Sequence, residues 1–411
     1  MERAYVVLLA LASISPAAET SDPKSPCHAA QSMNDCAILM NNLGSIYFFR
    51  GNYRDAELMF ARAIGLWAAE PAPSLDLAKA FHNLAAVYGE EGRYSDAVSL
   101  YHSALDLREA LTSPSDITLV PILNELGLVY LELADYARAE RVFERALSIS
   151  RVCQAEQTTA GADAMNNLAM VHRELGRFAE AEKLYRSALA VYQRTSDAKR
   201  EVAALNNLGR VLVEQAQYKE AEHLYREAIA AAEQKPGPAD PDVALGLSNL
   251  GKLMTAKRKY SDAAPLLRRA ERIDRASFAA DHPRVGYDLS NEGLVAEGRK
   301  RYGEAEDLYK KSEAILERAL PPNHPELGKV VARLANLYRE QDRLDESEAL
   351  FRRAVAILEQ AWGPENPQLL NILQSYEALL RTRQEYAEAE SVEVRTTRIR
   401  VIEALRNSNQ P

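Results

Sequence analysis

Apolar and small residues recur along this chain at the three- and four-residue spacing of amphipathic helices, and strand-like alternation is rare. In the first clear stretch the repeating face is Met40, Leu43, Gly44 and Tyr47. That face then returns with a fixed period. The segments NNLGSIYFFRGNYRDAELMFARAI (41–64), HNLAAVYGEEGRYSDAVSLYHSAL (82–105) and NNLAMVHRELGRFAEAEKLYRSAL (166–189) are versions of one repeat. With the Leu of each Asn-Leu pair as anchor, nine repeats are marked by Leu43, Leu84, Leu126, Leu168, Leu208, Leu250, Glu292, Leu334 and Tyr376. Successive anchors lie 41, 42, 42, 40, 42, 42, 42 and 42 residues apart.

Ten residues beyond each anchor stands an aromatic, with Leu344 the exception. Thirteen beyond stands a small residue, from Ala56 through Ser347 to Ala389. Seventeen beyond is usually a ring: Phe60, Tyr101, Phe143, Tyr185, Tyr225, Tyr309 and Phe351. This order predicts two antiparallel helices per repeat, about 18 in all. Small residues let the helix axes approach, and the rings fill the space toward the next repeat. Gly51, Gly92 and Gly176 fall in the turn between the helices, where a positive φ is expected. An acidic residue opens most second helices, for example Asp55, Asp96 and Glu180, at the positive end of the helix dipole. Pro265 is expected in the first turn of its helix.

The pattern L-G-x-x-Y…A-x-x-x-F…A resembles the tetratricopeptide repeat, whose common unit is ~34 residues; these repeats are longer by about eight. The connections PADPDVA (238–244), ADHPRV (280–285), PNHPEL (322–327) and PENPQL (364–369) extend the likeness. Together they resemble the long-period repeats of kinesin light chains and their bacterial look-alikes, over residues 34–400. The resemblance implies an all-α, right-handed superhelical solenoid of antiparallel helix pairs that binds a peptide or protein partner in its concave groove. No heptad coiled coil stands between the leader and the first repeat, which argues against a motor-adaptor role.

On that fold the first helix of each repeat lines the groove. Beside the anchors lie Asn83, Asn124, Asn167, Asn207, Asn249 and Asn291. An Asn amide both donates and accepts, so such a ladder suits an extended peptide backbone. Look-alike proteins use an Asn at this position in that way; a bond to a neighbouring helix is the other use. Other groove positions carry Lys79, Arg173, Arg210, Lys252, Lys329, Arg333 and Arg339, against Asp163, Glu174, Glu214 and Glu297. These cations point to a partner with acidic residues and a large apolar anchor; solvated helix surface is the alternative for any one of them. Glu292 stands where the pattern wants Leu.

Charge and chemistry narrow the classes. Acidic residues outnumber basic ones, 59 to 50, for a formal charge of −9, which argues against general nucleic-acid binding. HExxH, GxSxG, GxxxxGK[ST] and His/Cys metal spacing are absent, so neither enzyme activity nor a metal or cofactor is expected. A self-assembling array is the alternative to a binding scaffold, and an enzyme with an unrecognised site is a distant third. The stretch Ala4–Ile14 is apolar apart from Tyr5 and Ser13 and too short to span a bilayer. It reads as a secretory signal peptide over 1–18, implying export; a loosely helical terminus of a cytosolic protein is the alternative. In an exported chain Cys27 and Cys36 could pair and tie the leader (19–33) to the first helix, with Cys153 left over; three unpaired thiols are the alternative. Repeats then fill 34–385. Glu393, Thr396 and Thr397 replace ring and small residues in the last helix, so 386–406 is read as a polar cap and 407–411 as a tail.

Overall fold

The structure, a computed structural model, describes residues 32–234 and 240–408. Among them are eighteen α-helices and no strand. The first three repeats comprise α1 (Met33–Phe49), α2 (Tyr53–Ala68), α3 (Leu75–Glu90), α4 (Tyr94–Leu111), α5 (Leu119–Glu132) and α6 (Tyr136–Val152). The next three comprise α7 (Thr159–Glu174), α8 (Phe178–Arg194), α9 (Ala198–Glu214), α10 (Tyr218–Glu233), α11 (Pro241–Ala256) and α12 (Tyr260–Ser277). The last three comprise α13 (Pro283–Gly298), α14 (Tyr302–Ala319), α15 (Pro325–Glu340), α16 (Leu344–Trp362), α17 (Leu370–Thr382) and α18 (Tyr386–Ser408). A short 3-10 turn, Pro367–Leu369, precedes α17. From α1 to α5 and again from α8 to α18, each helix packs on the next, so the first helix of a repeat lies on the second and the second on the first helix of the following repeat. This is the all-α solenoid of helix pairs. It divides into two blocks: one runs to Leu133 and adds Ala137–Asn167, the other takes Ala134–Tyr136 and everything from Leu168.

The turn inside each repeat is built the same way nine times. Gly51, Gly92 and Gly176 have φ of 71, 73 and 74°, as expected of glycine at a helix end. At the same register the other six repeats place Ala134, Ala216, Arg258, Lys300, Asp342 and Gln384, with φ between 54 and 63°. The left-handed residue is therefore demanded by the helix-pair geometry, and glycine only relieves it. Helix approach is set at the residue directly after the anchor. A Cβ added to Gly127 would run into the Phe143 ring, so the second helix of that repeat rests on bare backbone.

Neighbouring repeats are joined by a recurring grip. In the first block Tyr88 and Arg93 both reach back to Glu57, each at 2.9 Å. In the second block Tyr338 and Arg343 hold Glu306 at 2.9 and 3.0 Å. In both, the guanidinium also lies 3.6 Å above the tyrosine ring. The proline connections are helix caps. Asp240, His282, His324 and Asn366 each accept a hydrogen bond from the backbone N–H two residues on, and the intervening proline takes the first helical position. Pro265 departs from expectation: it is the sixth residue of α12, inside the helix and past its first turn, on an exposed face.

Glu292 marks a seam of acids between α12 and α13. Burial and the Glu271 carboxylate push its pKa up to about 7. One turn away, Asp274 and Asp288 are 4% and 2% exposed and hydrogen-bond to each other. Two buried carboxyls in contact cannot both ionise cheaply, so burial raises both, with Arg284 opposing at 3.5 Å from Asp274.

Two outcomes follow. Ala216→Gly, at an exposed left-handed position, should raise the unfolding midpoint, with a gain of roughly 0.5–1 kcal/mol. A lowered midpoint in thermal melts would show that the alanine is not strained. Because the folded state holds the Asp288 proton more tightly than the unfolded chain, its contribution to stability declines as pH rises above the ordinary carboxylate range. Asp288→Asn should therefore gain on the native protein between pH 5 and pH 8 in urea melts; a difference independent of pH would refute the seam.

Candidate functional site

The asparagines beside the anchors stitch repeats together. Asn83 donates to Asn41 Oδ1 at 3.0 Å in the first block. In the second block Asn249 donates to Asn206 Oδ1 at 3.1 Å, Asn291 to Ser248 Oγ at 3.1 Å, and Arg333 to Ser290 Oγ at 2.5 Å. Each bond runs from the residue before one anchor to the residue two before the preceding anchor. Glu125 and His82 make the same connection at 2.7 Å. Asn124 donates to the Ala160 carbonyl at 3.4 Å, and Asn167 accepts from Asn166 at 3.2 Å. Asn207 is half-buried and bonded as well. Amides at the predicted ladder are thus already engaged within the protein, while Oδ1 of Asn249 and of Asn124 keeps an unused acceptor.

The charged positions behave differently. In the second block Arg173 and Glu174 (α7), Arg210 (α9), Lys252 (α11), and Glu326, Lys329 and Arg333 (α15) lie within electrostatic reach of one another. First helices of four repeats therefore turn these side chains toward a common interior. Some are matched. Arg173 pairs with Glu174, both nearly buried, and Lys329 pairs with Glu326 at 2.8 Å. Burial alone would raise the Glu326 carboxyl, but the Lys329, Lys252 and Arg210 cations hold it well below the usual carboxylate range. Glu174 is lowered in the same way by Arg173, Lys329 and Arg210.

Arg210 and Lys252 are unmatched. Neither makes a hydrogen bond or a contact ion pair among the described residues, and both keep some exposure. The strongest charges on Lys252 are the cations Arg210, Arg333 and Lys329 and the carboxylate of Glu326. Burial, then repulsion from Arg210, push the Lys252 ammonium down to about 7. Glu214 and Glu297 also come within reach of this set, through Arg173 and Arg333, but neither makes a contact pair with Arg210 or Lys252. Arg339 donates to the Ser375 carbonyl at 3.2 Å, which makes it a structural link between α15 and α17.

Closing this interior is a contact that sequence reasoning missed. The end of α7 meets the connection between α16 and α17, about 190 residues away in the chain. Asn366 Nδ2 donates to the Glu174 carbonyl at 2.6 Å. Gln368 Nε2 donates to the carbonyls of Arg173 and Glu174 at 3.0 and 2.9 Å. The Trp362 indole donates to the Glu174 carboxylate at 3.2 Å, and Lys329 Nζ stands 5.2 Å from its ring. Gly176 lies so close to Pro367 that a Cβ would approach its ring to 2.7 Å. The only signal in the sequence is that this connection departs from its relatives. Asn366 and Gln368 occupy the places of His324 and Glu326, and Trp362 that of Leu320, one repeat earlier.

Among the described residues no group of acids, histidines and cysteines is placed to hold a metal, and no helix is long and apolar enough to cross a membrane. Cys36 is disulfide-bonded and Cys153 is a free, exposed thiol; Cys27 and the segment 1–18 lie outside the described residues.

A sequence profile of the tetratricopeptide repeat matches residues 76–151, 161–234, 242–318 and 330–400, and a second tetratricopeptide-repeat profile matches 36–69. No curated protein matches the sequence significantly. Of solved structures, BtubC (BKLC) from P. vanneervenii is 26% identical, covering 59% of this chain and 92% of its own, with a TM-score of 0.44. The Rap conjugation gene regulator of plasmid pLS20, solved with the Phr* peptide, is 15% identical over 79% of this chain and 95% of its own, with a TM-score of 0.56. The quorum sensor NprR from B. thuringiensis, in its apo form, is 13% identical over 80% and 90%, with a TM-score of 0.60. The last two share the fold with this chain.

Asn291→Ala would leave Ser248 without its buried donor, and should cost about 1–3 kcal/mol. Denaturant melts check this; an unchanged midpoint would free the ladder from a structural role.

Proposed function

We propose, from the premise that the chain belongs to the tetratricopeptide-repeat family, that it is a protein-interaction scaffold. In this reading the interior face of the second block takes an extended peptide whose carboxylates meet Arg210 and Lys252. The observation that carries the reading is the pair of unmatched cations. Charged groups away from bulk water are ordinarily neutralised by a partner, and among the described residues neither Arg210 nor Lys252 has a carboxylate in contact. A carboxylate from outside completes the set with charge-assisted hydrogen bonds. The Rap regulator, of similar fold, is solved with a peptide, which makes a peptide a reasonable class of ligand for this architecture. A partner of this kind is recognised by charge and an extended backbone, with no reaction performed on it. The disulfide at Cys36 supports export to an oxidising compartment.

Panning a random peptide library against the full chain tests this directly, with Arg210→Ala and Lys252→Ala alongside. Acidic peptides should be enriched, and each substitution should weaken their binding at least tenfold, or about 1.4 kcal/mol. Equal affinities for all three proteins would remove the acidic-peptide reading. Lys252 loses its charge as pH rises through about 7, so affinity should fall over that interval. Lys252→Arg, which stays charged, should flatten the profile.

A further inference from the structure

The contact between α7 and the α16–α17 connection closes the interior of the second block on itself, across five repeats. We propose that this contact is a clasp, and that it opens to admit a partner chain to the charged interior. The inference rests on the peptide-binding reading for its ligand, but the clasp has readouts of its own.

Three features mark it as a separable contact. Its polar part is small and local: the side chains of Asn366, Gln368 and Trp362 all bond to the last two residues of α7. It sits beside a weak joint. From α8 onward, α16 and α17 pack less extensively than any other consecutive helices. Gly363, directly after Trp362, has a φ of 83° and supplies a pivot. The clasp is also coupled to the interior charges. Glu174, which accepts from Trp362, is held ionised by Arg173, Lys329 and Arg210. Lys329 in turn lies over the Trp362 ring and pairs with Glu326. An incoming carboxylate at Arg210 competes with Glu174 and Glu326 for the same cations, and so loosens the clasp from within.

Asn366 is the residue that distinguishes this connection. Its Oδ1 caps the following turn at 2.8 Å while its Nδ2 donates across to Glu174. An aspartate there keeps the cap and removes the cross-chain donor. Asn366→Asp with Gln368→Glu therefore opens the clasp while leaving the local turn intact, since Glu326 occupies the equivalent site after an HP pair.

The opposite variant locks it. A Cβ at position 176 would lie 3.4 Å from the Cβ of Pro367, at the short edge of disulfide spacing. Gly176→Cys with Pro367→Cys, in a Cys153→Ser background, should cross-link on oxidation, and its reduced form controls for strain at Gly176. A Trp67→Phe background leaves Trp362 as the sole indole, since the chain has two tryptophans.

In the full chain, acrylamide quenching of Trp362 and stopped-flow association of a fluorescein-labelled hexaglutamate peptide would be measured. The opened variant should show at least twofold stronger quenching and at least fivefold faster association than the native clasp. Oxidising the locked variant should slow association at least fivefold, and reduction should restore it. Equal quenching in the native and opened proteins, or equal association in the oxidised and reduced locked forms, would overturn the clasp. Failure of hexaglutamate to bind any form would sink the acidic-peptide reading instead, and the quenching comparison would still decide whether the clasp opens.

Discussion

A large ring resting on bare backbone sets the distance between the two helices of a repeat, and the remaining architecture is built on that distance. Phe143 on Gly127 and Tyr309 on Gly293 leave no space for a Cβ. Where the anchor is followed by alanine instead, as at Ala85, Ala169 and Ala335, the residue is wholly buried. Helices held this close need an abrupt reversal between them, and a single left-handed residue provides it in every repeat. Six repeats accept that conformation without glycine, so the packing of the pair outweighs the backbone cost. Each pair is then tied to the next, as where Tyr88 and Tyr338 bond back to a glutamate of the preceding repeat.

With structure secured by those positions, the inner faces of the first helices are free to carry charge. In the second block they carry more cations than the interior can match. Arg173 and Lys329 have carboxylate partners; Arg210 and Lys252 do not. The Lys252 ammonium is pushed down first by burial and then by repulsion from Arg210. The same charges hold Glu174 ionised at the point where the Trp362 connection docks, so closure of the block and the state of its interior are linked through one carboxylate.

The repeat, its helix pairs and the turn glycines were legible in the sequence. They depend on residues at most a few turns apart, repeated often enough for each position to be read nine times. Gly51, Gly92 and Gly176 show the expected positive φ; the proline connections were visible too, but that His282 and His324 act as N-caps in them came from the structure. Pro265 was misplaced by a turn because the helix begins at Tyr260, ahead of the acidic residue that marked its start. The asparagine row was visible, but its use was not: an amide looks the same whether it bonds a ligand or the neighbouring repeat, and only packing brought Asn249 to Asn206 and Asn291 to Ser248.

By itself, then, the sequence determined the helix pair and its tandem repetition, since local spacing and nearest-neighbour contacts suffice for both. Which cations would be paired, where acids would be forced together at Asp274 and Asp288, and that Asn366 and Gln368 would grip the end of α7 were decided only by the tertiary structure. Those contacts depend on the small rotation each repeat adds to the last. That rotation accumulates over five repeats before residues some 190 apart in the chain can meet, and no single repeat carries a mark of where the sum will end.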